Sequence, residues 1–245
     1  MLETSTIPYL YGVYNTTNNF ILHQEYIKGQ TLRVFLKNNS ITENQCFEIT
    51  WRLIQTLYSI FTKGFVHRDI KPSNIMVRKE KKIVLKPDVT TFDKNTETIN
   101  NRTSISDTNK FQSKTTNYVK TEVDEFMVYL IDYGFALIAH DKEVRKELML
   151  KICGTKGYIA PEIIISDTEE KRDKLDYSKI DIFSVGIILY ELITKKNPFC
   201  ENTSGRILKN NMKCSINFKD MKIQAMSHDR RDFLYKLCHK DPAKR

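Results

Sequence analysis

The stretch that decides the fold is His67-Arg68-Asp69-Ile70-Lys71-Pro72-Ser73-Asn74. It lies between a region with the apolar period of a long helix, Thr42 to Lys63, and a short segment with strand character, Ile75 to Val77. Within eight residues it gathers a carboxylate, several basic groups and an amide. Polar groups concentrated in a loop between two regular elements indicate a functional loop.

Four further stretches follow it in the chain: Ile131-Asp132-Tyr133-Gly134, GTKGYIAPE at 154–162, DIFSVG at 181–186, and DPAKR at 241–245. In this order, the five stretches resemble the catalytic loop H-R-D-x-K-x-x-N, the D-F-G, the A-P-E and the two later landmarks of the eukaryotic protein kinases. The six fixed letters of the first stretch would match by chance with a probability on the order of 10⁻⁵ in a chain of this size. The resemblance implies an α+β, protein-kinase-like fold.

The resemblance also divides the chain into the parts of a kinase domain. Residues 1–24 resemble the last strands of the N-terminal lobe, residues 25–30 the hinge, and residues 31–245 the helical C-terminal lobe. None of the eight glycines falls in a G-x-G-x-x-G, and no strand lysine or helix glutamate of the family precedes the hinge. We therefore expect an N-terminally incomplete domain, a fragment that alone turns over ATP weakly or not at all.

The resemblance implies that three residues carry the chemistry of phosphoryl transfer. Asp69 would accept or orient the proton of the substrate hydroxyl. Lys71 would neutralise charge on the transferred γ-phosphoryl group. The hydroxyl of Thr155 would bond to both in the active state. Lys71 and Thr155 are typical of the serine/threonine branch of the family.

The cofactors implied are ATP and Mg²⁺. Asp132 and Asn74 would ligate Mg²⁺, because carboxylate and amide oxygens are the hard ligands that this ion prefers. The main chain of Glu25 and Ile27 in the hinge would bond to adenine. The aromatic ring of Tyr133 replaces the usual phenylalanine, and we expect little functional cost from its hydroxyl.

Six further residues are implied to support the site: His67, Arg68, Gly134, Glu162, Asp181 and Arg245. Asp181 would accept N–H groups of the catalytic loop. Glu162 and Arg245 would form a buried ion pair.

The activation segment departs from the usual pattern, in which Arg68 would pair with a phosphorylated residue. Between Tyr133 and Thr155 there is no Ser, Thr or Tyr, whereas acidic residues are present at Asp141, Glu143 and Glu147. One interpretation is that one of these carboxylates pairs with Arg68, and the alternative is that the acids only keep the loop solvated. Calcium-dependent kinases are loosely similar in this segment.

The resulting functional hypothesis is a serine/threonine protein kinase that phosphorylates a protein substrate, and the alternative is a catalytically inactive kinase-like scaffold. Kinases that choose Arg-containing substrates carry carboxylates where this chain has Thr31 and Ser73, which weighs against a strongly basic substrate; Glu191 is the one acidic contact left. The net charge of +9 also suits a nucleic-acid-binding module, but no groove-reading pattern accompanies it, so we expect no nucleic-acid partner.

Composition separates one segment from the rest. Residues 79–127 contain no Gly, one Pro and 17 Ser, Thr or Asn, and their apolar residues follow no period. Such a segment buries too little apolar surface to offset its ordering entropy, which predicts a polar, largely disordered insertion. The five cysteines are scattered and no apolar run approaches 18 residues, which favours a reducing compartment, the cytoplasm or the nucleus, and no membrane span.

Periodicity and punctuation predict the regular elements. Strands are expected at 11–14, 20–25, 75–77 and 128–131, and helices at 31–37, 42–63, 178–194, 204–211 and 227–239. The second helix should begin with a capping box, Thr42 with Gln45, and end at Gly64. Its apolar stripe is predicted to be Phe47, Thr50, Leu53, Ile54, Leu57, Ile60 and Phe61.

Overall fold

The computed structural model describes residues 6–87, 118–138, 153–166, 168, 170–171 and 175–245. The chain forms two compact units, one made of Met1–Arg78 with Phe126–Arg245 and the other of Lys79–Glu125. The first unit contains all of the helices described below and the candidate site. The second contains the outer parts of two long strands.

Seven strands are described: β1 Leu10–Asn15, β2 Phe20–Gln24, β3 Gln30–Thr31, β4 Phe65–Val66, β5 Ile75–Pro87, β6 Tyr118–Leu130 and β7 Leu137–Ile138. β1 and β2 form an antiparallel hairpin, as the sequence predicts. β3, β5 and β6 form a three-stranded sheet in that order, and β4 pairs with β7.

Seven α-helices are described: α1 Leu32–Asn38, α2 Glu43–Phe61, α3 Pro161–Ile165, α4 Tyr177–Thr194, α5 Ser204–Lys213, α6 Met221–Gln224 and α7 His228–Leu237. Two 3₁₀ turns are also described. Pro72–Asn74 is the last part of the catalytic loop, and Pro242–Lys244 directly precedes Arg245. The five predicted helices are confirmed within two residues at each end. The short helices α3 and α6, of five and four residues, carry too little periodic pattern to be predicted.

The start of α2 has the predicted capping box. The Thr42 hydroxyl accepts the N–H of Gln45 at 3.3 Å, and the Gln45 side-chain oxygen accepts the N–H of Thr42 at 2.9 Å. These bonds satisfy two donors that a helix start leaves without partners. Gly64, with φ of 86°, follows the helix in the left-handed conformation that favours glycine.

The buried face of α2 is rotated from the predicted stripe. Ile49 is fully buried, although it was not predicted, and Phe61 is 37% exposed. The buried face also includes Cys46 and Thr56, which were not predicted, together with the predicted Thr50. The hydroxyls of Thr50 and Thr56 donate to carbonyl groups one turn earlier in the helix, at 2.8 and 3.0 Å, which removes the penalty of burying them.

Helix α4 forms the centre of the core. Fourteen of its 18 residues are buried, and both α2 and α7 pack against it. At Gly186 the helix comes so close to α7 that a Cβ atom would lie 2.7 Å from Cys238 Sγ and 2.9 Å from the Leu237 carbonyl carbon. Glycine is therefore required by packing at this position.

Strands β5 and β6 are longer than predicted. Residues 79–87 and 118–127, which were assigned to the polar insertion, lie in these strands. Lys79 pairs with Asp124 at 2.8 Å and Lys81 with Glu122 at 2.9 Å. These ion pairs join residues more than 40 positions apart, so local hydropathy could not reveal them. The prediction of disorder for 88–117 lies outside the described residues.

The short strands position the candidate site. β4 ends directly before His67 and pairs with β7, with Val66 opposite Leu137. β5 begins directly after Asn74, and β6 ends directly before Ile131. The two loops that carry the first two motifs therefore start and end on paired strands. Within the described ranges, no helix is long and apolar enough to cross a membrane.

Candidate active site

Asp181, near the start of α4, holds the start of the catalytic loop. Its two carboxylate oxygens accept the backbone N–H groups of His67 at 2.7 Å and Arg68 at 2.8 Å. Arg68 adopts φ of 65°, a left-handed conformation that costs free energy for a non-glycine residue, and the bond to its N–H helps to maintain it. Burial raises the pKa of Asp181, and the two N–H donors counteract this rise.

The ring of His67 connects the catalytic loop to the segment that carries Asp132. The Asp69 N–H donates to Nδ1 at 3.3 Å, so Nε2 carries the ring hydrogen and donates to the carbonyl of Ile131 at 3.1 Å. His67 is fully buried, and its ring packs edge-on against Tyr133 with 5.0 Å between centroids. The conformation of one loop therefore depends on the position of the other.

Asp69 lies at the centre of the polar cluster. Its Oδ1 accepts the Thr155 hydroxyl at 2.6 Å, and its Oδ2 accepts Lys71 Nζ at 2.6 Å and Asn74 Nδ2 at 3.0 Å. Lys71 Nζ also donates to Thr155 Oγ1 at 2.8 Å. Burial alone would raise the pKa of Asp69, but the donors Lys71, Thr155 and Asn74 outweigh it and lower the pKa below its usual range. The carboxylate is therefore ionised at neutral pH and able to orient a hydroxyl proton.

Gly154 allows the loop carrying Thr155 to reach Asp69. Its φ is 109°, and a Cβ atom there would lie 2.8 Å from the carbonyl oxygen of Arg68. A side chain would therefore separate this loop from the catalytic loop and break the Thr155 bonds. The contacts that the resemblance implied for Thr155 with Asp69 and Lys71 are present.

Asp132 and Asn74 have the donor chemistry that Mg²⁺ requires. Asp132 is exposed, with φ of 64°, and its Oδ1 accepts the N–H of Gly134 at 3.3 Å. The Asn74 amide nitrogen donates to Asp69, which leaves its Oδ1 as an acceptor. The Ile131 N–H donates to the Asn74 carbonyl at 2.9 Å and links the two segments. In the described part of the chain no group of three or more His, Cys, Asp or Glu is placed to hold a metal ion.

The predicted hinge connects β2 to β3. Ile27 is buried against Met127 and Tyr129, whereas Tyr26 between it and Glu25 is 85% exposed. The Glu25 N–H donates to the Tyr9 carbonyl at 2.7 Å, and the Glu25 carboxylate accepts the Tyr9 N–H at 3.1 Å. These bonds attach the hinge to the β1–β2 hairpin.

Glu162 and Arg245 form the implied ion pair, with Arg245 Nη2 2.8 Å from Glu162 Oε2. The Arg245 side chain is fully buried. All five of its N–H donors are used: two bond to Glu162, and three bond to the carbonyls of Lys179, His239 and Lys240. The guanidinium also lies 4.8 Å from the ring of Phe183. It therefore joins α3, α4 and the end of the chain.

Several residues that support the 154–162 loop were not predicted. Asn211 of α5 is fully buried, accepts the Gly157 N–H at 2.7 Å and donates to the Ile159 carbonyl at 3.0 Å. Glu191, left as a possible acidic contact for substrates, accepts the Tyr158 hydroxyl at 2.6 Å, a bond that was not predicted. The local sequence around Asn211 and Glu191 carries no sign of these long-range bonds.

The proposed partners of Arg68, Asp141, Glu143 and Glu147, lie outside the described residues. Within the described part, Arg68 Nε donates to the carbonyl of Phe135 at 2.7 Å. This bond places the guanidinium at the start of the activation segment.

The protein kinase domain model matches residues 1–245. The chain belongs to the protein kinase family. Among its relatives, serine/threonine-protein kinase cds1 of Schizosaccharomyces pombe is 25% identical over 95% of the chain and 40% of that protein. CDPK-related kinase 5 of Arabidopsis thaliana is 25% identical over 98% of the chain and 31% of that protein. A putative serine/threonine-protein kinase of Acanthamoeba polyphaga mimivirus is 29% identical over all of the chain and 48% of that protein.

These matches confirm the family recognised from the motifs, including the likeness to calcium-dependent kinases. The mixture of helices and strands agrees with the protein kinase fold. This kinase chain spans less than half the length of each of the three relatives.

Proposed function

We propose that this kinase transfers the γ-phosphoryl group of Mg·ATP to a serine or threonine hydroxyl of a protein. The observation that carries the proposal is the Asp69 cluster, in which one ionised carboxylate is bonded to Lys71, Asn74 and Thr155 at 2.6 to 3.0 Å. Phosphoryl transfer depends mainly on positioning and charge neutralisation, and this cluster offers both.

In this proposal Asp69 accepts or orients the proton of the substrate hydroxyl. Lys71 has its ammonium group beside that carboxylate, where it would neutralise charge on the transferred group. The Thr155 hydroxyl bonds to both Asp69 and Lys71 and so couples the 154–162 loop to the catalytic loop. Bound Mg²⁺, which Asp132 and Asn74 would hold, would neutralise charge on the ATP phosphates.

We also infer the lobe assignment from the distribution of elements. From α1 onward the first unit is mostly helical, which supports residues 31–245 as the C-terminal lobe. The β1–β2 hairpin supports residues 1–24 as strands of the N-terminal lobe, and 25–30 as the hinge that binds adenine through Glu25 and Ile27. We keep 79–127 as an insertion in this lobe.

The second candidate is a kinase-like scaffold that does not transfer phosphate. It is favoured by the absence of any G-x-G-x-x-G in the 245 residues, since that loop provides phosphate contacts in the family. The intact Asp69, Lys71, Asn74 and Asp132 favour the enzyme.

The test measures Mg·ATP binding by thermal shift and phosphoryl transfer from radiolabelled ATP, on the 245-residue chain and on the full-length gene product. We expect a Mg²⁺-dependent shift that Asp132→Asn removes, and transfer that Asp69→Asn abolishes while the shift is kept. A shift without transfer in the full-length protein would establish the scaffold. No shift in either protein would contradict the assignment of Asp132 and Asn74.

A further inference from the structure

An open cleft of about 710 Å³ begins beside the Asp69 cluster. Its lining includes Pro72 of the catalytic loop and Thr155, which bonds to Asp69. Its walls come from α1, the 155–158 loop, the end of α4 and the start of α5. A protein segment that presents a hydroxyl to Asp69 would therefore have to pass through or beside this cleft.

The cleft is strongly cationic. Its lining includes five basic side chains, all of them exposed: Arg33, Lys37, Lys156, Lys195 and Lys196. In the described residues none of the five forms an ion pair with a carboxylate within 4.0 Å. Exposed cations of one sign around a concave surface raise the local concentration of anionic ligands.

Among the described residues, the cleft has one carboxylate in its lining, that of Glu191. It is half-buried and accepts the Tyr158 hydroxyl at 2.6 Å, so part of its hydrogen-bonding capacity is already used. An arginine-rich segment would face five like charges and find this single acid. An acidic segment would find five donors that form no ion pair within the described residues.

We propose that the cleft binds an acidic protein segment, so that the substrate of this kinase carries anionic side chains next to its phosphoacceptor hydroxyl. The inference rests on the proposed kinase function and adds the substrate class to it. The shared ligand chemistry is an anionic side chain, either the carboxylate of Asp or Glu or the phosphate of a phosphorylated residue.

Binding is measured first, because it does not depend on transfer. Fluorescence anisotropy of the 245-residue chain compares four labelled peptides that share a central serine and differ in their flanks: Asp and Glu, phosphoserine, Arg, or Ala and Gly. We expect the acidic or the phosphorylated peptide to bind at least about tenfold more tightly than the arginine peptide, with an affinity that falls as salt rises. The better of the two identifies the anion.

Two matched variants test whether the acidic peptide binds in the cleft. Arg33→Gln/Lys37→Gln/Lys195→Gln/Lys196→Gln removes four cations from the cleft. Lys63→Gln/Lys209→Gln/Lys219→Gln/Lys222→Gln removes four exposed cations outside its lining and lowers the net charge equally. We expect the first variant to bind the acidic peptide about tenfold more weakly. The second should change the affinity for this peptide less than about twofold. Circular dichroism checks that both variants fold.

Cys200 offers an independent readout, because it is exposed and lines the same cleft. Bound acidic peptide should slow the alkylation of Cys200 and leave the alkylation of Cys214 unchanged. Peptide mapping measures both rates. Equal affinity for the acidic and arginine peptides, or equal losses in the two variants, would overturn the inference.

Phosphorylation of the same peptides by the full-length protein separates the two proposals. Transfer to the peptides without an acidic preference would overturn the inference and leave the kinase function intact. Acid-selective binding without any transfer would support the cleft's ligand class and contradict the kinase function.

Discussion

At the scale of single residues, the Thr155 hydroxyl is one of the donors that, with Lys71 and Asn74, lower the pKa of Asp69. Thr155→Ala removes one of the donors that lower the pKa of Asp69, so we expect this pKa to rise and kcat to fall. The Asp69 carboxyl can be followed by ¹³C NMR during a pH titration. Thr155→Ser is the control, because it keeps the hydroxyl and should keep the pKa low. An unchanged pKa in the alanine variant would contradict the assigned role.

The same bonds predict how stability depends on pH. The folded-state pKa of Asp69 is depressed, so its ionised form contributes stability that is present above the unfolded-state pKa of about 3.9. This contribution is lost as the pH falls through the folded-state pKa. In Thr155→Ala the contribution should be smaller and its loss should be complete at a higher pH, because the folded-state pKa is closer to the unfolded-state pKa. Thermal melts on the acid side will show this.

Tyr133 presents a buried polar group without a partner. Its hydroxyl bonds to nothing in the described part of the chain, and burial raises its pKa. We expect Tyr133→Phe to increase the free energy of unfolding by about 1 kcal/mol or more, since an unsatisfied buried hydroxyl carries a desolvation penalty. Chemical denaturation measures the change.

Tyr158→Phe is the matched control for this prediction. Its hydroxyl bonds to Glu191 at 2.6 Å, so removing it should destabilise the protein. Destabilisation by Tyr133→Phe would mean that the hydroxyl has a partner after all.

At the scale of elements, the packing of α4 against α7 depends on Gly186. Alanine would improve helix propensity by about 1 kcal/mol. The added Cβ, however, would lie within 3 Å of Leu237 and Cys238 atoms, and such overpacking typically costs about 1–3 kcal/mol. We therefore expect Gly186→Ala to destabilise the protein in urea denaturation.

Gly205 in α5 tests the propensity alone. A Cβ there meets no heavy atom within 4 Å, so Gly205→Ala should raise the free energy of unfolding by up to about 1 kcal/mol. Stabilisation by both variants would show that α4 and α7 can move apart at little cost.

The elements also show where local patterns mislead. The buried face of α2 includes Cys46 and Thr56, whereas the more apolar Phe61 stays 37% exposed. Hydropathy ranks residues by their own transfer free energy, and the position of the neighbouring helix decides which of them is covered.

At the scale of the whole molecule, Arg245 ties the end of the chain to α3 and α4. Arg245→Ala should cost about 3–5 kcal/mol, because it leaves the carboxylate of Glu162 without its buried partner. Arg245→Lys should also destabilise, since an ammonium group cannot replace five donors in a planar arrangement. Differential scanning calorimetry measures both.

Lys236→Ala provides the comparison for this ion pair. Lys236 and Asp232 pair at 2.7 Å, but their side chains are 65% and 46% exposed. Such a pair contributes at most about 1 kcal/mol. If the Arg245 variants cost as little as Lys236→Ala, the buried pair would not be an anchor.

The sequence by itself determined the family, the order of the motifs and the long helices of this kinase, because these depend on residue types at fixed local spacings. Only the tertiary structure decided which distant groups meet. Examples are Asn211 on the 154–162 loop, Glu191 on Tyr158, and the charged pairs of β5 and β6. These contacts join residues 33 to 54 positions apart, and a polar side chain carries the same local pattern whether it meets water or a distant partner. The cationic cleft has the same origin: its five basic residues are scattered from position 33 to position 196, and only the fold gathers them beside Asp69.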